Sequence, residues 1–417
     1  MAFVRCLRGI ASGAEYAADR PMNLDPLDGR PVEMVLDLER LAAERPGQSW
    51  YKPRRKDIWR FGALMALDID DPVDAAHIIA LGEGATPLLD YARHPVARKA
   101  GLALAIKEEG KAHAGFGANP TQSFKDRGMA MVVAQARRLG IEKLAVPTQG
   151  NAGDSLVHYA LAAGLSVVVA MPGDTPAPIL GNVAAAAHRH PQQVLLELAG
   201  PTIREAGALL KEKYIPQGYF SVATFQEPGW RIEGKKSLGL ELAEPAPGSM
   251  RWSLPDAVIY PTGGGTGVLG MWKAWQELEA LGLIDSRRPR MICVQSDAMP
   301  PLVRAFDAGL ADTTAQVGKG TLAFGLNVPA GVGHFRVLEI IRASGGAAVA
   351  VAESDIAAEL HRVWHETHWW ISPEGAACLA ALPELLERGL LRRDERVIAV
   401  NTGSAEKYLP ALRHLLD

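Results

Sequence analysis

The chain has 417 residues, of which 48% are hydrophobic and 22% charged, and its formal net charge at pH 7 is −3. This length predicts two domains or one large α/β domain, and the composition is typical of a soluble globular protein. The small negative charge argues against nucleic acids and anionic membranes as partners. No apolar stretch is long enough to cross a membrane or to act as a signal peptide. Three widely separated cysteines predict no disulfide framework, so we expect a cytoplasmic protein.

Residues 1–80 are expected to form an N-terminal extension. Within it, Asp25–Gly29 has the spacing of a zinc-ribbon knuckle, with acidic residues where cysteines would stand. Because Cys6 is the only thiol in this segment, we do not expect a structural zinc site. The run from Val32 to Leu41 is amphipathic. The aromatic side chains expected to pack the extension onto the rest of the protein are Trp50, Trp59 and Phe61.

A lysine stands at the start of a predicted helix in the stretch Asn119–Gly128. The helix continues from Met129 to Leu139 with good helix formers and an apolar stripe. Lys125 would lie at the positive end of the helix dipole, which disfavours its charged form. Partial burial would add to this effect and produce the nucleophilic amine that a Schiff-base lysine needs. The alternative is an ordinary surface lysine near a helix end.

Strands and helices alternate along most of the remaining chain. This alternation predicts an α/β fold of parallel sheets with crossover helices on both faces. The predicted strands are Leu102–Lys107, Lys143–Pro147, Ser166–Met171, Val194–Glu197, Tyr219–Ala223, Asp256–Tyr260, Arg290–Gln295, Ala347–Val351 and Arg396–Asn401. The predicted helices are Ala152–Ala163, Ile179–His188, Ile203–Lys213, Glu233–Ala243, Val268–Leu281, Ser354–Thr367, Glu374–Arg388 and a closing helix.

A glycine-rich loop, Pro261–Gly267, joins a predicted strand to a predicted helix. Glycines let the backbone approach an anion closely, and successive N–H groups at a helix start can bind a phosphate. Gly265–Gly270 also fits the Gly-x-Gly-x-x-Gly pattern of dinucleotide-binding proteins, and Asp297 follows the next strand. The loop therefore predicts a phosphate site. The alternatives are a nicotinamide-dependent oxidoreductase and a glycine-rich turn that binds no ligand.

Two further polar turns follow predicted strands. Thr148–Gly153 offers an amide side chain and backbone N–H groups that could bind a carboxylate or a ring hydroxyl, although many helix starts look the same. Asn401–Ser404 offers a hydroxyl that could bond a heteroaromatic nitrogen, or simply a serine that caps the next helix.

Three histidines, His361, His365 and His368, recur at helical spacing near the carboxyl end. Such spacing can hold a metal ion. However, they lie beside an apolar stripe that includes Ile356 and Leu360, which places them at the solvent edge of the helix. We therefore expect no metal site, because helical histidine spacing alone is not a closed ligand set.

Taken together, these segments resemble the threonine synthase family, within the fold type II pyridoxal-phosphate enzymes. The match runs in the family's order over nearly the whole chain. The matching segments are Leu81–Leu88, Asn119–Gly128, Gly150–Gly153, Arg231–Lys236, Pro261–Gly267, Pro373–Ala377 and Asn401–Ser404. The resemblance implies two open twisted parallel-sheet domains of the tryptophan synthase β-like kind. Residues 81–127 with 225–417 would form the large cofactor-binding domain and 128–224 the small domain, in a homodimer.

The resemblance also implies roles for individual residues. Lys125 matches the lysine that forms the internal aldimine with pyridoxal 5′-phosphate and then moves protons. The other implied cofactor contacts are Phe124 at the cofactor's edge, Gly263, Gly264, Gly265, Thr266 and Gly267 around the phosphate, Asn151 at the ring 3-hydroxyl and Thr402 at the pyridine nitrogen. The implied substrate contacts are Ser123, Asp126, Arg127, Gln149 and Gly150.

The implied reaction is that of a lyase in amino-acid metabolism, which converts O-phospho-L-homoserine and water to L-threonine and phosphate. Several residues depart from the family pattern. Gln122 and Gln149 replace small residues, and His368–Ser372, which contains Trp369 and Trp370, is bulkier than usual. We expect the two tryptophans to pack in the core; if they line the pocket, the substrate is another amino acid. The alternative function is therefore a pyridoxal-phosphate β/γ-elimination or replacement enzyme in specialised metabolism.

Two further functions explain less of the sequence. An oxidoreductase that uses Gly265–Gly270 leaves the Lys125 stretch unexplained. A non-catalytic binding protein on this fold does not account for the presence of Lys125, Asn151 and the whole glycine loop together.

Overall fold

A computed structural model describes residues 2–200, 202–409 and 411–413. The chain forms two compact units. The first comprises the described residues of Met1–Gly84, Asn119–Ser237 and Lys407–Pro410, and the second those of Ala85–Ala118, Leu238–Glu406 and Ala411–Asp417. The domain boundaries implied by the family resemblance stay a prediction.

The described residues form thirteen strands and fourteen α-helices, numbered in chain order. The strands are β1 Val4–Gly9, β2 Glu15–Tyr16, β3 Val32–Leu36, β4 Leu88–Asp90, β5 Ala103–Glu108, β6 Lys143–Pro147, β7 Ser166–Met171, β8 Val194–Leu198, β9 Phe220–Ser221, β10 Ala257–Pro261, β11 Arg290–Ser296, β12 Ala347–Val351 and β13 Arg396–Asn401. The α-helices are α1 Leu38–Glu44, α2 Pro72–Ala75, α3 Pro95–Ala100, α4 Lys125–Arg138, α5 Asn151–Ala163, α6 Ala177–Arg189, α7 Ile203–Leu209, α8 Trp230–Ala243, α9 Thr266–Ala280, α10 Pro301–Asp307, α11 His334–Ala343, α12 Glu353–Thr367, α13 Pro373–Ala380 and α14 Leu382–Glu387.

The first unit begins with a three-stranded antiparallel sheet of order β2-β1-β3. The buried Asp25 carboxylate joins the two turns of this sheet. It accepts hydrogen bonds from the Ser12 hydroxyl at 2.5 Å, the Tyr16 hydroxyl at 2.6 Å and the Leu27 N–H at 2.9 Å. Three donors on one carboxylate hold the knuckle-like turns together through hydrogen bonds between protein atoms. These three strands were not predicted from the sequence.

The first unit also contains a four-stranded parallel sheet of order β8-β7-β6-β9. Its central strand β7 is a buried run of Val167, Val168 and Val169, as expected for a parallel strand covered on both faces. The side chains expected to anchor the N-terminal extension, Trp50, Trp59 and Phe61, are buried in this unit.

The second unit is built on a six-stranded sheet of order β12-β11-β10-β13-β5-β4. All neighbours are parallel except β4, which pairs antiparallel with β5. In the centre of the sheet, Ile259 of β10 lies opposite Ala399 of β13. The carboxyl ends of β10 and β13 therefore meet at one edge, which is where ligands bind in open parallel sheets.

The predicted α/β alternation is confirmed, with two corrections. The predicted helix Glu374–Arg388 is two helices, α13 and α14, and α14 starts around Pro383, which supplies no backbone N–H to continue α13. The predicted strand Tyr219–Ala223 is only β9, Phe220–Ser221. The chain forms a 3-10 turn at Ala405–Tyr408 and is helical at Arg413, whereas 414–417 lie outside the described residues, so the predicted closing helix stays a prediction. No helix in the described ranges is long and apolar enough to cross a membrane.

Glu83 is a buried carboxylate of the first unit, and burial raises its pKa to about 7. It accepts hydrogen bonds from Trp59 Nε1 at 3.0 Å, the Tyr159 hydroxyl at 2.8 Å and the Leu81 N–H at 2.9 Å. These bonds favour the ionised form but offset the desolvation only in part. The unfolded chain, with a glutamate pKa near 4.5, is already ionised at pH 6. The native state therefore binds more protons between pH 4.5 and 7, and stability falls as pH rises through this window.

We expect Glu83→Gln to weaken this pH dependence. Between pH 6 and 8 the wild-type free energy of unfolding should lose about 1 kcal/mol through Glu83, and the variant should not show this loss. Urea unfolding at both pH values measures it, with the exposed Glu39→Gln as a matched control. An equal pH dependence in wild type and Glu83→Gln would contradict the prediction.

Candidate active site

Lys125 is the first residue of α4, as predicted, and Phe124 is its N-cap. Its side chain is half-buried, and Nζ lies 4.3 Å from the centroid of the Phe124 ring. The Lys125 backbone N–H donates to the Ser123 hydroxyl at 3.3 Å. The amine therefore has a fixed starting point at a helix N-terminus and a ring beside it.

A second lysine, Lys235 of α8, shares the same ring. Its buried Nζ lies 4.2 Å from the Phe124 centroid and donates to the Phe124 carbonyl at 2.6 Å. Helix α8 approaches α4 this closely because Gly234 has no side chain. A Cβ there would lie 2.1 Å from the Arg127 carbonyl oxygen. Lys235 lies in a segment that resembles the family, but no role was predicted for it from the sequence.

Asp126 and Arg127, which the resemblance placed near the substrate, have partners inside the protein. The buried Asp126 carboxylate accepts from Thr121 N–H and Oγ1, both at 2.7 Å, and from Ser155 Oγ at 2.5 Å. Burial raises the pKa of Asp126 in spite of these hydrogen bonds. Arg127 is also buried, and its Nη1 donates to Ser237 Oγ at 3.0 Å. Asp126 therefore holds the turn that precedes Lys125, and Arg127 joins α4 to α8. A role of either side chain in substrate binding stays a prediction.

The turn that contains Gln149 and Gly150 leads into α5, which begins at Asn151. The Gly150 N–H donates to Thr148 Oγ1 at 3.0 Å. Within the described chain, the Asn151 Oδ1 atom is buried and has no hydrogen-bond partner. A buried amide oxygen without a donor is costly, so a ligand hydroxyl or N–H at this place would bind favourably.

At three positions of the glycine loop after β10, a Cβ atom would collide with a different neighbouring residue. A Cβ on Gly263 would lie 2.3 Å from the Gly325 carbonyl oxygen. Gly265 adopts φ +90°, a conformation that favours glycine, and a Cβ there would lie 2.5 Å from Val337 Cγ2. A Cβ on Gly267 would lie 2.0 Å from the Tyr260 hydroxyl. The loop thus follows a tight path into α9, which begins at Thr266 and offers the N–H groups of its first turn to an anion.

Thr402 follows β13, at the same sheet edge as the glycine loop, and is buried. In the preceding residue, Asn401, both the nitrogen and the oxygen of the side-chain amide form hydrogen bonds. Its Nδ2 donates to both Glu108 oxygens, at 3.0 and 2.8 Å, and its Oδ1 accepts from the Ser372 N–H at 2.9 Å. Burial raises the pKa of Glu108 to about 7. This network fixes the end of β13 and therefore the backbone of Thr402.

The aromatic segment before α13 is neither core nor fully exposed. Trp369 and Trp370 are half-buried in the second unit. The Trp369 ring lies 5.6 Å from Tyr91, and the Trp370 ring lies 4.5 Å from Trp364. The expectation that both tryptophans are core residues is therefore wrong. Each ring is covered on part of its surface, Trp369 by Tyr91 and Trp370 by Trp364, and is otherwise accessible to solvent.

His361 and His365 of α12 and His368, which caps its carboxyl end, are exposed, and the His361 and His365 rings lie 4.1 Å apart. Among the residues that the structure describes, no group of three or more histidine, cysteine, aspartate or glutamate side chains is arranged to hold a metal ion. The cysteines Cys6, Cys293 and Cys378 are buried and free.

The residues of the candidate site thus fall into two sets. The first unit carries Lys125 and the unpartnered Asn151 oxygen, and the second carries the glycine loop and Thr402. The first unit thus offers an amine and an unpartnered acceptor, and the second offers a helix start suited to an anion and a neutral hydroxyl; each is a kind of group that pyridoxal phosphate requires. The residues present therefore fit this cofactor.

Comparison with known proteins supports this assignment. The profile of a family described as pyridoxal-phosphate dependent enzymes matches residues 79–403. The chain is 30% identical over 406 residues to a threonine synthase from Methanocaldococcus jannaschii, covering 96% of this chain and 92% of that protein. It is 29% identical to a threonine synthase from Methanosarcina acetivorans, covering 95% and 91%.

Among solved structures, a threonine deaminase isoform from Solanum lycopersicum superposes with a TM-score of 0.63 at 20% identity, covering 79% of this chain and 83% of that one. At this identity the likeness concerns the fold alone, and it confirms the predicted fold class. The profile and the sequence relatives carry the family assignment. The chain belongs to the pyridoxal-phosphate dependent enzymes and, within them, to the threonine synthase family, and its cofactor is pyridoxal 5′-phosphate.

Proposed function

We propose that the protein is a lyase that converts O-phospho-L-homoserine and water to L-threonine and inorganic phosphate. The observation that carries the proposal is the similarity to threonine synthases over 96% of the chain, which includes the Lys125 segment. In the net reaction, phosphate leaves Cγ, the water hydroxyl adds to Cβ and Cγ becomes a methyl group. The reaction therefore needs a group that moves protons among adjacent carbons of the substrate.

Lys125 is proposed to be that group. Its amine, at the start of α4, would attach the cofactor and then take a proton from the substrate Cα and a second from Cβ. Pyridoxal phosphate, when bound, supplies a conjugated ring that accepts electrons from the broken C–H bond. The chain's own task is to place the amine, and Phe124 and Ser123 do this from the preceding turn.

The remaining residues would hold the cofactor. The N–H groups of Gly263–Gly267 and the Thr266 hydroxyl would bind its phosphate at the start of α9. The Asn151 amide would bond the ring hydroxyl, which would remove the unpartnered state of its Oδ1. The Thr402 hydroxyl would face the ring nitrogen without placing a negative charge there, so that nitrogen would stay unprotonated.

One observation favours a second candidate, elimination or replacement on a different amino acid. Gln122, where the family resemblance implies a small residue, adopts φ +56° three residues before Lys125. A large side chain in the left-handed region is uncommon and is often found at functional turns. Together with the half-buried Gln149, it would leave less space for a phosphate-bearing substrate.

An assay of the purified protein with its cofactor separates these candidates. O-phospho-L-homoserine should release phosphate and threonine in equal amounts, whereas O-phosphoserine, which lacks Cγ, should release no threonine. Turnover of another amino acid with no reaction of O-phosphohomoserine would select the second candidate. No reaction with any amino acid, in protein that binds pyridoxal phosphate, would refute both.

Two further properties belong to this proposal. The family resemblance implies a homodimer, which light scattering of the purified protein would test. The three widely separated cysteines predict a cytoplasmic enzyme, for which fractionation of cells that produce the protein is the measurement.

A further inference from the structure

His334 is a buried histidine at the first position of α11, and it contacts the glycine loop directly. Its Nε2 lies 2.8 Å from the Gly263 carbonyl oxygen. Its Nδ1 lies 3.1 Å from the Gly331 backbone nitrogen and 3.0 Å from Thr313 Oγ1. A backbone N–H can only donate, so Nδ1 must accept and Nε2 must carry the hydrogen that it donates to Gly263. The contacts therefore require a neutral imidazole in one tautomer.

The bond to Gly263 determines how the loop faces an anion. The Gly263 carbonyl and the Gly264 N–H belong to one planar trans peptide, in which they point in opposite directions. A histidine that holds the carbonyl on one side therefore aims the Gly264 N–H to the other side. The position is also tight, since a Cβ on Gly331 would lie 2.4 Å from the His334 ring. The imidazole has little room to turn away.

A second contact holds the same part of the loop. The Gly325 carbonyl packs against Gly263, and the Gly325 N–H donates to Glu374 Oε1 at 2.7 Å. Gly325, in the segment that connects α10 to α11, and His334, the first residue of α11, thus both hold Gly263. This segment has no strand–helix periodicity.

We propose that His334 is a positioning residue for the cofactor phosphate, whose neutral imidazole holds the Gly263 carbonyl so that the Gly264 N–H faces the phosphate. This inference rests on the part of the proposed function that assigns the glycine loop to the phosphate. If only the neutral imidazole of His334 holds the loop in this way, the affinity for the cofactor depends on pH. A proton on Nδ1 would displace the Gly331 N–H, so the imidazolium could keep its bond to Gly263 only with a shifted ring.

The charges around His334 set the direction of this dependence. Burial lowers the pKa of His334, and the Gly263 carbonyl and Asp312, which favour the imidazolium, offset this effect only in part. The charged side chains on α11 and on the elements packed against it are Arg336, Glu339 and Arg342 on α11, Lys273, Glu277 and Glu279 on α9, Arg304 and Asp307 on α10, and Arg290 on β11. His334 is therefore neutral at pH 7 to 8, and affinity should fall in acid.

The test measures the dissociation constant of pyridoxal 5′-phosphate, by fluorescence titration of the apoprotein from pH 5.5 to 8. His334→Leu removes the donor, and we expect its affinity to be at least about tenfold weaker at pH 8. His334→Gln keeps an amide N–H near the Nε2 position and cannot titrate. Its affinity should stay within about threefold of wild type, without the loss in acid. The exposed His361→Gln is the matched control and should behave as wild type at every pH.

Two outcomes would overturn the proposal: a folded His334→Leu protein that binds the cofactor as tightly as wild type, or a His334→Gln protein that retains the acid-dependent loss. If His334→Leu does not fold, the comparison of His334→Gln with wild type across pH still decides. Cofactor affinity is measured without substrate, so a protein that fails to turn over O-phosphohomoserine leaves this test intact.

Discussion

Lys125→Ala should reduce the turnover number for phosphate release by ~10³-fold or more, because the variant loses both the attachment of the cofactor and the group that moves protons. The fold should persist, since the half-buried Lys125 side chain stands at the end of α4 and an alanine is compatible with a helix start. Steady-state phosphate release and the visible absorbance of the lysine-bound cofactor are the measurements. Circular dichroism checks that the variant is folded.

The neighbouring Lys235 makes a sharper control possible. Its Nζ lies 4.2 Å from the same Phe124 ring, so it is a second amine close to the position of Lys125. If Lys125→Ala keeps a visible band that is lost only when Lys235→Ala is added, Lys235 can react with the cofactor. If Lys125→Ala retains full activity, the assignment of Lys125 is wrong. The exposed Lys211→Ala should change neither activity nor absorbance.

The second large effect is expected for Gly267→Ala. The new methyl group would lie 2.0 Å from the Tyr260 hydroxyl and 2.4 Å from Tyr260 Cζ, so the ring or the first turn of α9 must move. We expect a loss of about 1–3 kcal/mol in the free energy of unfolding, which is typical of overpacked cores. Because the same turn offers its N–H groups to the phosphate, cofactor affinity should fall at least about tenfold. Urea unfolding and cofactor titration measure the two effects.

Two further variants separate crowding from a general effect of alanine. Gly181→Ala lies on the exposed side of α6, where an added Cβ meets no atom within 4 Å. It should raise stability by about 0.5–1 kcal/mol, since alanine favours a helix, and leave cofactor affinity unchanged. Adding Tyr260→Phe to Gly267→Ala removes the closest atom and should restore part of both losses. Wild-type stability and affinity in Gly267→Ala alone would contradict the account of the loop.

The local features of this protein could be predicted from its sequence. The strands β5, β6, β7, β10, β11, β12 and β13 and the helices between them follow from apolar periodicity and from glycine and proline at their ends. The start of α4 at Lys125 and the glycine loop before α9 are of the same kind, because each depends on residues adjacent in the chain. The resemblance to the threonine synthase family could be recognised from these segments without information on how they pack.

Periodicity was less informative where burial is complete or the chain is irregular. The predicted apolar stripe on α4 is one side of a helix that is buried all round from Asp126 to Ala136. The antiparallel strands β1 to β3 and the helices α10 and α11 were not predicted from the sequence.

The tertiary structure alone determined which side chains support the site. Lys235 reaches the Phe124 carbonyl across 111 residues, His334 reaches Gly263 across 71, and Asn401 reaches Glu108 across 293. Asp126 and Arg127, which follow Lys125 in sequence, point to partners inside the protein. The physical reason is that periodicity and turn chemistry record the preferences of neighbours along the chain. A hydrogen bond or a close approach between distant residues depends on how whole elements pack, which no local pattern records.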